Sequence, residues 1–251
     1  YSKFARIALG TNDIDYRARV TSDEERDFLA AHVAGSSTTY RDIDTADHVA
    51  LVAFEPEEES PIVFLRLNKN FKKRGLKVSA VATKGSIAMD KLKADFIKVA
   101  PGAESAAVAG LALTAKSVIL VGERASESAG LFTSVAALAA KTGAKVAYIP
   151  RRAGERGALE AGALGNVLPG GRPVMDAAAR VDIAAAWGVD SLPATPGRSA
   201  LEIINALTSG DLDAVVVLEA HRNGGIDVAE NLERFRLVTH AGDEVRNGLG
   251  G

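Results

Sequence analysis

Short apolar runs alternate along the chain with longer stretches in which apolar positions recur at helical spacing. Residues 49–54, 77–83, 96–99, 117–122, 145–149, 214–218 and 235–239 read as strands. Most are unbroken in Val, Ile and Leu, the pattern of strands covered on both faces. Residues 22–34, 60–74, 128–142, 176–187 and 199–209 read as helices. Their ends carry matching signals. Ser22 with Glu25 fits a capping box, and Ser60 followed by Pro61 fits an N-cap with proline at the first turn. A glycine follows each helix (Gly35, Gly75, Gly143, Gly188 and Gly210), as a left-handed C-cap requires. Glu57, Glu58 and Glu59 precede the helix 60–74, and Lys69, Lys72, Lys73 and Arg74 close it, so both ends complement the helix dipole.

Strands alternating with helices predict an α/β fold with a parallel, doubly wound, Rossmann-like sheet joined by right-handed crossovers. Four segments follow from the rhythm. Residues 1–43 form an N-terminal stretch expected to pack with an adjacent domain. Residues 44–150 are the Rossmann-like core. Residues 151–199 hold a Gly/Arg/Pro-rich loop and a helix, with 151–173 expected as an extended surface loop. Residues 200–251 supply a helix and strands expected to complete the α/β domain. No repeat recurs at a fixed period.

Composition narrows the function. A net charge of −2 leaves no basic field for nucleic acid or anionic lipid. The apolar stretch 106–115 is broken by Lys116 before it could span a bilayer, so direct membrane insertion is not expected. No secretory signal opens the chain, and residue 1 is Tyr, as expected of a piece of a longer polypeptide. Cysteine is absent, which excludes disulfides, thiolate zinc, cysteine nucleophiles and cysteine-ligated clusters within this sequence. His32, His48, His221 and His240 are scattered, so no metal site is expected.

Ligands of open α/β sheets bind where strands end and helices begin. At the first such junction, 54–59 reads FEPEEE. A nucleotide site there would be glycine-rich and present bare N–H groups to phosphate. Here it is crowded with carboxylates instead, which read as dipole compensation on a solvated surface rather than as a cation site. At a second strand end, Gly122, Glu123 and Arg124 carry one glycine only, and Ser126 and Ser128 read as helix caps. At a third, His221 and Arg222 follow the strand 214–218 and read as surface loop. Arg151, Arg152 and Arg156 sit among glycines; they suit either a docking patch or local ion pairs with Glu155 and Glu160. No serine lies in G-x-S-x-G, and no catalytic residue is expected.

Several stretches together resemble a known family. Residues 3–15, KFARIALGTNDID, fit the K-x-A-R-x-x-L-G-T-N-x-I/V-D signature of molybdopterin oxidoreductase large subunits, the formate dehydrogenase type. Residues 50–61, ALVAFEPEEESP, resemble that family's strand followed by G-x-N-P-x-x-x-x-P. Residues 168–171 with Asp176, Arg180, Trp187, Gly188, Leu192, Pro193, Pro196 and Gly197 resemble LPG…D…R…WG…LP…PG. Glu202, Gly210 and 214–218 match the helix and strand before its G-E-N-P turn. Within that superfamily E-P-E-E-E-S-P, V-G-E-R and P-R-R-A-G-E-R-G-A look like the G-subunit family of bacterial NADH-quinone oxidoreductase (respiratory complex I), in an actinobacterial style.

The resemblance implies a peripheral-arm subunit on the cytoplasmic face, partnered by other complex I subunits. Its iron–sulfur clusters would lie N-terminal to this chain. Two departures bear on the cofactor. Cofactor-binding members have Gly and Asn where this chain has Phe54 and Glu55 before Pro56, and their G-E-N-P is replaced here by Glu219, Ala220, His221 and Arg222. A carboxylate repels pyrophosphate and bulk blocks its approach. The expectation is a cofactor-less relic used as scaffold and docking surface. The alternatives are part of a molybdopterin-dependent formate dehydrogenase-like enzyme, or a small-ligand-binding α/β module.

Overall fold

The computed structural model describes residues 1–17, 22–217 and the backbone of 237–239. The chain starts with α1 (Ser2–Ile7) and α2 (Asp23–Phe28), which a π-helical turn, Leu29–Val33, continues. There follow α3 (Tyr40–Thr45), β1 (His48–Val52), α4 (Pro56–Glu59), α5 (Pro61–Arg74), β2 (Lys77–Ala82), α6 (Ile87–Lys91), β3 (Asp95–Lys98) and α7 (Glu104–Ala109). Next come β4 (Ser117–Gly122), a 3-10 turn (Glu123–Glu127), α8 (Leu131–Thr142), β5 (Lys145–Ile149) and α9 (Glu155–Glu160). The rest comprises β6 (Val167–Leu168), β7 (Arg172–Pro173), α10 (Ala177–Trp187), α11 (Ala200–Ser209), β8 (Val215–Val217) and β9 (Leu237–Thr239).

The chain divides into two units: Tyr1–Arg26 with Ala161–Gly251, and Asp27–Glu160. The second unit holds a five-stranded sheet in the order β3-β2-β1-β4-β5, every pairing parallel. This is the predicted Rossmann-like α/β arrangement. Every residue of β1 and β4 is buried, which is why those runs carry no polar alternation. Phe54, Phe64, Leu67, Met89 and Leu92 pack with Leu51, Val78 and Leu120 into one core. Because the chain builds β2 and β3 on one side of β1 and then crosses to β4 on the other, the β1/β4 boundary is the topological switch point.

In the first unit, β6 and β7 form an antiparallel pair, while β8 and β9 pair in parallel in a separate two-stranded sheet. Leu168, Val174, Ala179, Ala184 and Leu192 make a small core there, and Trp187 packs against it.

All five expected helix-ending glycines adopt left-handed φ, between 66° and 84°. Asp176 caps α10 and Ser199 caps α11, the latter in a full capping box with Glu202.

The helix expected over 60–74 forms as α5, with Pro61 in its first turn. The acidic residues before it make a separate short helix: Pro61 forces Ser60 out of helical backbone (φ −153°, ψ 79°), so α4 stops and α5 starts afresh. Three expectations need correction. Ser60 occupies the N-cap position of α5 but makes no side-chain cap bond. Ser126 and Ser128 do not cap α8, whose N-cap is Gly130; they bond to the Glu123 carbonyl and the Glu104 carboxylate instead. Residues 151–173 are not a surface loop: they contain α9 and the β6–β7 pair, with Leu159, Leu164, Val167 and Leu168 fully buried. Those apolar residues are spread among glycines, so no periodic run announces them.

Candidate functional site

The switch point is where a ligand would sit, and the sequence brings several structural devices to it. After β1 the backbone turns through Ala53 in left-handed conformation (φ 48°), costly for a residue with a Cβ. This turn presses on the end of β4: a Cβ on Gly122 would collide with the Ala53 carbonyl oxygen and lie 3.0 Å from the Phe54 Cα. The Phe54 side chain then turns into the core. Backbone thus takes the space between the two strand ends.

The donors at this junction are occupied as well. Glu55 is the N-cap of α4, its carboxylate accepting from the Glu58 N–H at 2.9 Å and from the Ser86 hydroxyl at 2.6 Å. The Glu55 N–H in turn donates to Glu59 Oε1 at 3.2 Å. The Glu59 carboxylate, only 4% exposed, also accepts from Arg124 through Nε at 3.1 Å and Nη2 at 2.7 Å. Glu123, buried at the end of β4, pairs with Arg152 at 2.8 Å, and Glu57 pairs with Lys91. These N–H and guanidinium groups, which could otherwise receive a phosphate, already hold the chain's own carboxylates.

This changes the reading of the acidic cluster. Glu58 is solvated as expected, but Glu59 is not; it is drawn inward by Arg124, 65 residues away, a pairing that local sequence cannot reveal. Among the described residues no group of three or more His, Asp or Glu is arranged to hold a metal ion. Glu219, Ala220 and His221 lie outside the described residues, as does Arg222. Arg151 is exposed; Arg152 also approaches Glu155 at 3.6 Å; Arg156 pairs with Glu160 and donates to the Ser36 carbonyl at 3.1 Å. The local ion pairs that suited this segment are therefore present.

At the opposite end of β1, His48 is buried and its Nε2 meets the Ser79 hydroxyl. Desolvation, and then the nearby Lys77 charge, hold its pKa below the usual histidine value.

The first unit contains a second polar cluster. Arg6 is 2% exposed, yet its guanidinium faces no carboxylate in its hydrogen bonds. Nε donates to Asn12 Oδ1 at 2.7 Å, Nη1 to the Gly162 carbonyl at 2.7 Å, and Nη2 to the carbonyls of Val167 at 2.8 Å and Leu164 at 3.2 Å. Burial without a counter-charge lowers its pKa to about 10, so it still carries its proton at neutral pH. Asn12 Nδ2 donates onward to the carbonyls of Pro193 (3.0 Å) and Thr195 (2.7 Å), and Asp13 pairs with Arg198 at 2.7 Å. Gly197 passes so close to Asn12 that a Cβ would overlap its backbone. Arg6, Asn12, Pro193 and Gly197, which carry the family resemblance, thus meet in one knot of main-chain carbonyls. Nothing in their spacing discloses that the arginine is internal. What buries it is the pairing of a permanently charged side chain with distant glycine-rich carbonyls, which only the fold supplies.

Among the described residues no helix is long and apolar enough to cross a membrane. No protein-family model matches the chain. It is similar to the curated G subunits of NADH-quinone oxidoreductase from Mycobacterium bovis and Mycobacterium tuberculosis, 48% identical over 240 residues in each case. The G subunit of the Streptomyces coelicolor oxidoreductase is 46% identical over 262 residues. These matches cover 92% of this chain but only 29–30% of the relatives, so the chain spans less than a third of their length. The resemblance to actinobacterial G subunits therefore holds along nearly the whole sequence.

Proposed function

We propose that the chain is a cofactor-less body segment of a G-subunit polypeptide, serving as scaffold and docking surface while iron–sulfur clusters elsewhere in that polypeptide pass electrons from NADH toward quinone. The observation that carries the reading is the occupied switch point. Glu55 caps α4 where an anion would sit, and Glu59 satisfies Arg124 from within. A pyrophosphate entering there would face the Glu55 carboxylate, which is held by a backbone N–H and a hydroxyl rather than by a cation; at 4 Å and an effective dielectric of 20, each unit-charge pair repels by about 4 kcal/mol. The Ala53–Gly122 approach leaves no room for the backbone to retreat.

The strand order and the knotted signature residues support a sheet of the molybdopterin oxidoreductase type. With no cysteine in the sequence, cluster ligands would come from other parts of the polypeptide. The partners in this reading are other subunits of the complex I peripheral arm, on the cytoplasmic face of the membrane. Arg151, Arg152 and Arg156 remain the docking candidates, since the paired guanidinium side chains of Arg152 and Arg156 are still 51% and 44% exposed.

The test is metal and pterin analysis of the purified long polypeptide. The proposal expects neither molybdenum nor tungsten at stoichiometric level; one equivalent per chain would favour a formate dehydrogenase-like enzyme instead.

A further inference from the structure

Helix α1 is built inside out. An amphipathic helix ordinarily turns its apolar stripe to the core and its charges to water. Here Ser2 and Arg6 are buried, while Phe4, Ile7 and Leu9, at the helix and its exit, are 53%, 39% and 53% exposed. The orientation is locked. Rolling the helix to bury Phe4 would withdraw the Arg6 guanidinium from Asn12 and from the carbonyls of Gly162, Leu164 and Val167, leaving buried acceptors without donors. The outward face also carries little charge. Lys3 is directed toward Trp187, 3.4 Å from the carbonyl oxygen and 5.9 Å above the ring centroid.

We propose that the Phe4–Ile7–Leu9 face is an intramolecular docking surface, covered by an apolar face of the remaining part of the long G-subunit polypeptide. This rests on the reading of the chain as a segment of such a polypeptide. Two observations select this occupant. The relatives extend well beyond the matched region, which is 29–30% of their length. The patch is also small: three side chains expose on the order of a few hundred Å². A free-standing partner or second copy needs about 1,000 Å² to hold stably. A covalently tethered partner does not, because its effective concentration reaches the millimolar range or above.

Hydroxyl-radical footprinting of the long polypeptide and of the 251-residue chain, read by mass spectrometry, tests this. In the 251-residue chain, Phe4 and Leu9 are expected to label like the exposed Leu65. In the long polypeptide their labelling should fall to that of the buried Phe54. A Phe4→Asp/Leu9→Asp long polypeptide should regain labelling at Ile7, while the same variant of the 251-residue chain melts unchanged. Equal labelling of Phe4 and Leu9 in both forms overturns the proposal. So does protection already present in the 251-residue chain, whether light scattering shows a dimer or a monomer covering the face with its own residues. Pterin and metal content of the same long preparation is scored separately, so failure of the cofactor-less reading is distinguishable from failure of this one.

Discussion

Arg6 in one unit and Glu59 in the other are both charges taken out of water, but different neighbours replace the solvent. Glu59 meets an opposite charge, Arg124, whose own side chain is 42% exposed. Arg6 meets only dipoles: one amide oxygen and three main-chain carbonyls. Desolvating a charge costs several kcal/mol unless hydrogen bonds replace its hydration. In the Glu59 case the cost is reduced by a counter-ion that keeps access to water. In the Arg6 case it is offset by four bonds that also fix separate backbone stretches. The first arrangement fills a space; the second ties a fold together. Removing a member of each should therefore have very different consequences.

The largest effect is expected for Arg6→Leu. Leaving several buried carbonyls without a donor costs about 1–3 kcal/mol each, so the loss should be on the order of 4 kcal/mol or more. The Tyr1–Arg26 and Ala161–Gly251 unit should lose amide-exchange protection, while the β1–β5 sheet keeps its own. Loss of protection in both units alike would mean the knot is not local to its unit.

Next come Gly122→Ala and Gly197→Ala, each placing a methyl against backbone that cannot move aside. Overpacking of this kind costs about 1–3 kcal/mol. Thermal denaturation should show Gly122→Ala lowering stability; a neutral result would mean that the β1 turn does not press on β4.

Glu59→Gln should cost no more than about 1 kcal/mol, since Arg124 retains access to water. It is also the variant most apt to expose anion affinity at the switch point. Chemical denaturation reads the first effect and pyrophosphate titration the second. A loss near that of Arg6→Leu would erase the contrast between the two clusters.

The smallest effect is a pH dependence. His48 titrates below 6.5 in the folded protein because burial disfavours its charged form. The unfolded chain then binds the extra proton first, so stability is fully present above about pH 6.5 and falls as pH drops below it. His48→Gln should flatten that slope in urea titrations across this range, and an unchanged slope would assign the dependence to other groups.

The sheet was legible because its strands are buried on both faces and its helices end at glycines; β4 and β5 match their expected bounds residue for residue. Short helices such as α3, α6 and α7 gave too few turns for a period to register. The switch point was half legible. Phe54 and Glu55 were readable as departures from a glycine-rich phosphate turn, but the inward turn of Glu59 and the pairing of Glu123 with Arg152 depend on tertiary neighbours. Arg6 was readable as part of a signature and not as a buried charge, since an arginine in a helix ordinarily keeps its head in water.

The central claim is that the β1/β4 junction is closed to pyrophosphate by its own carboxylates and backbone. Calorimetric titration of the chain with GDP and with pyrophosphate tests it most directly. The account predicts no heat beyond dilution for either compound. A one-to-one isotherm with a dissociation constant near 1 μM, about −8 kcal/mol, abolished by Gly122→Ala, would contradict it.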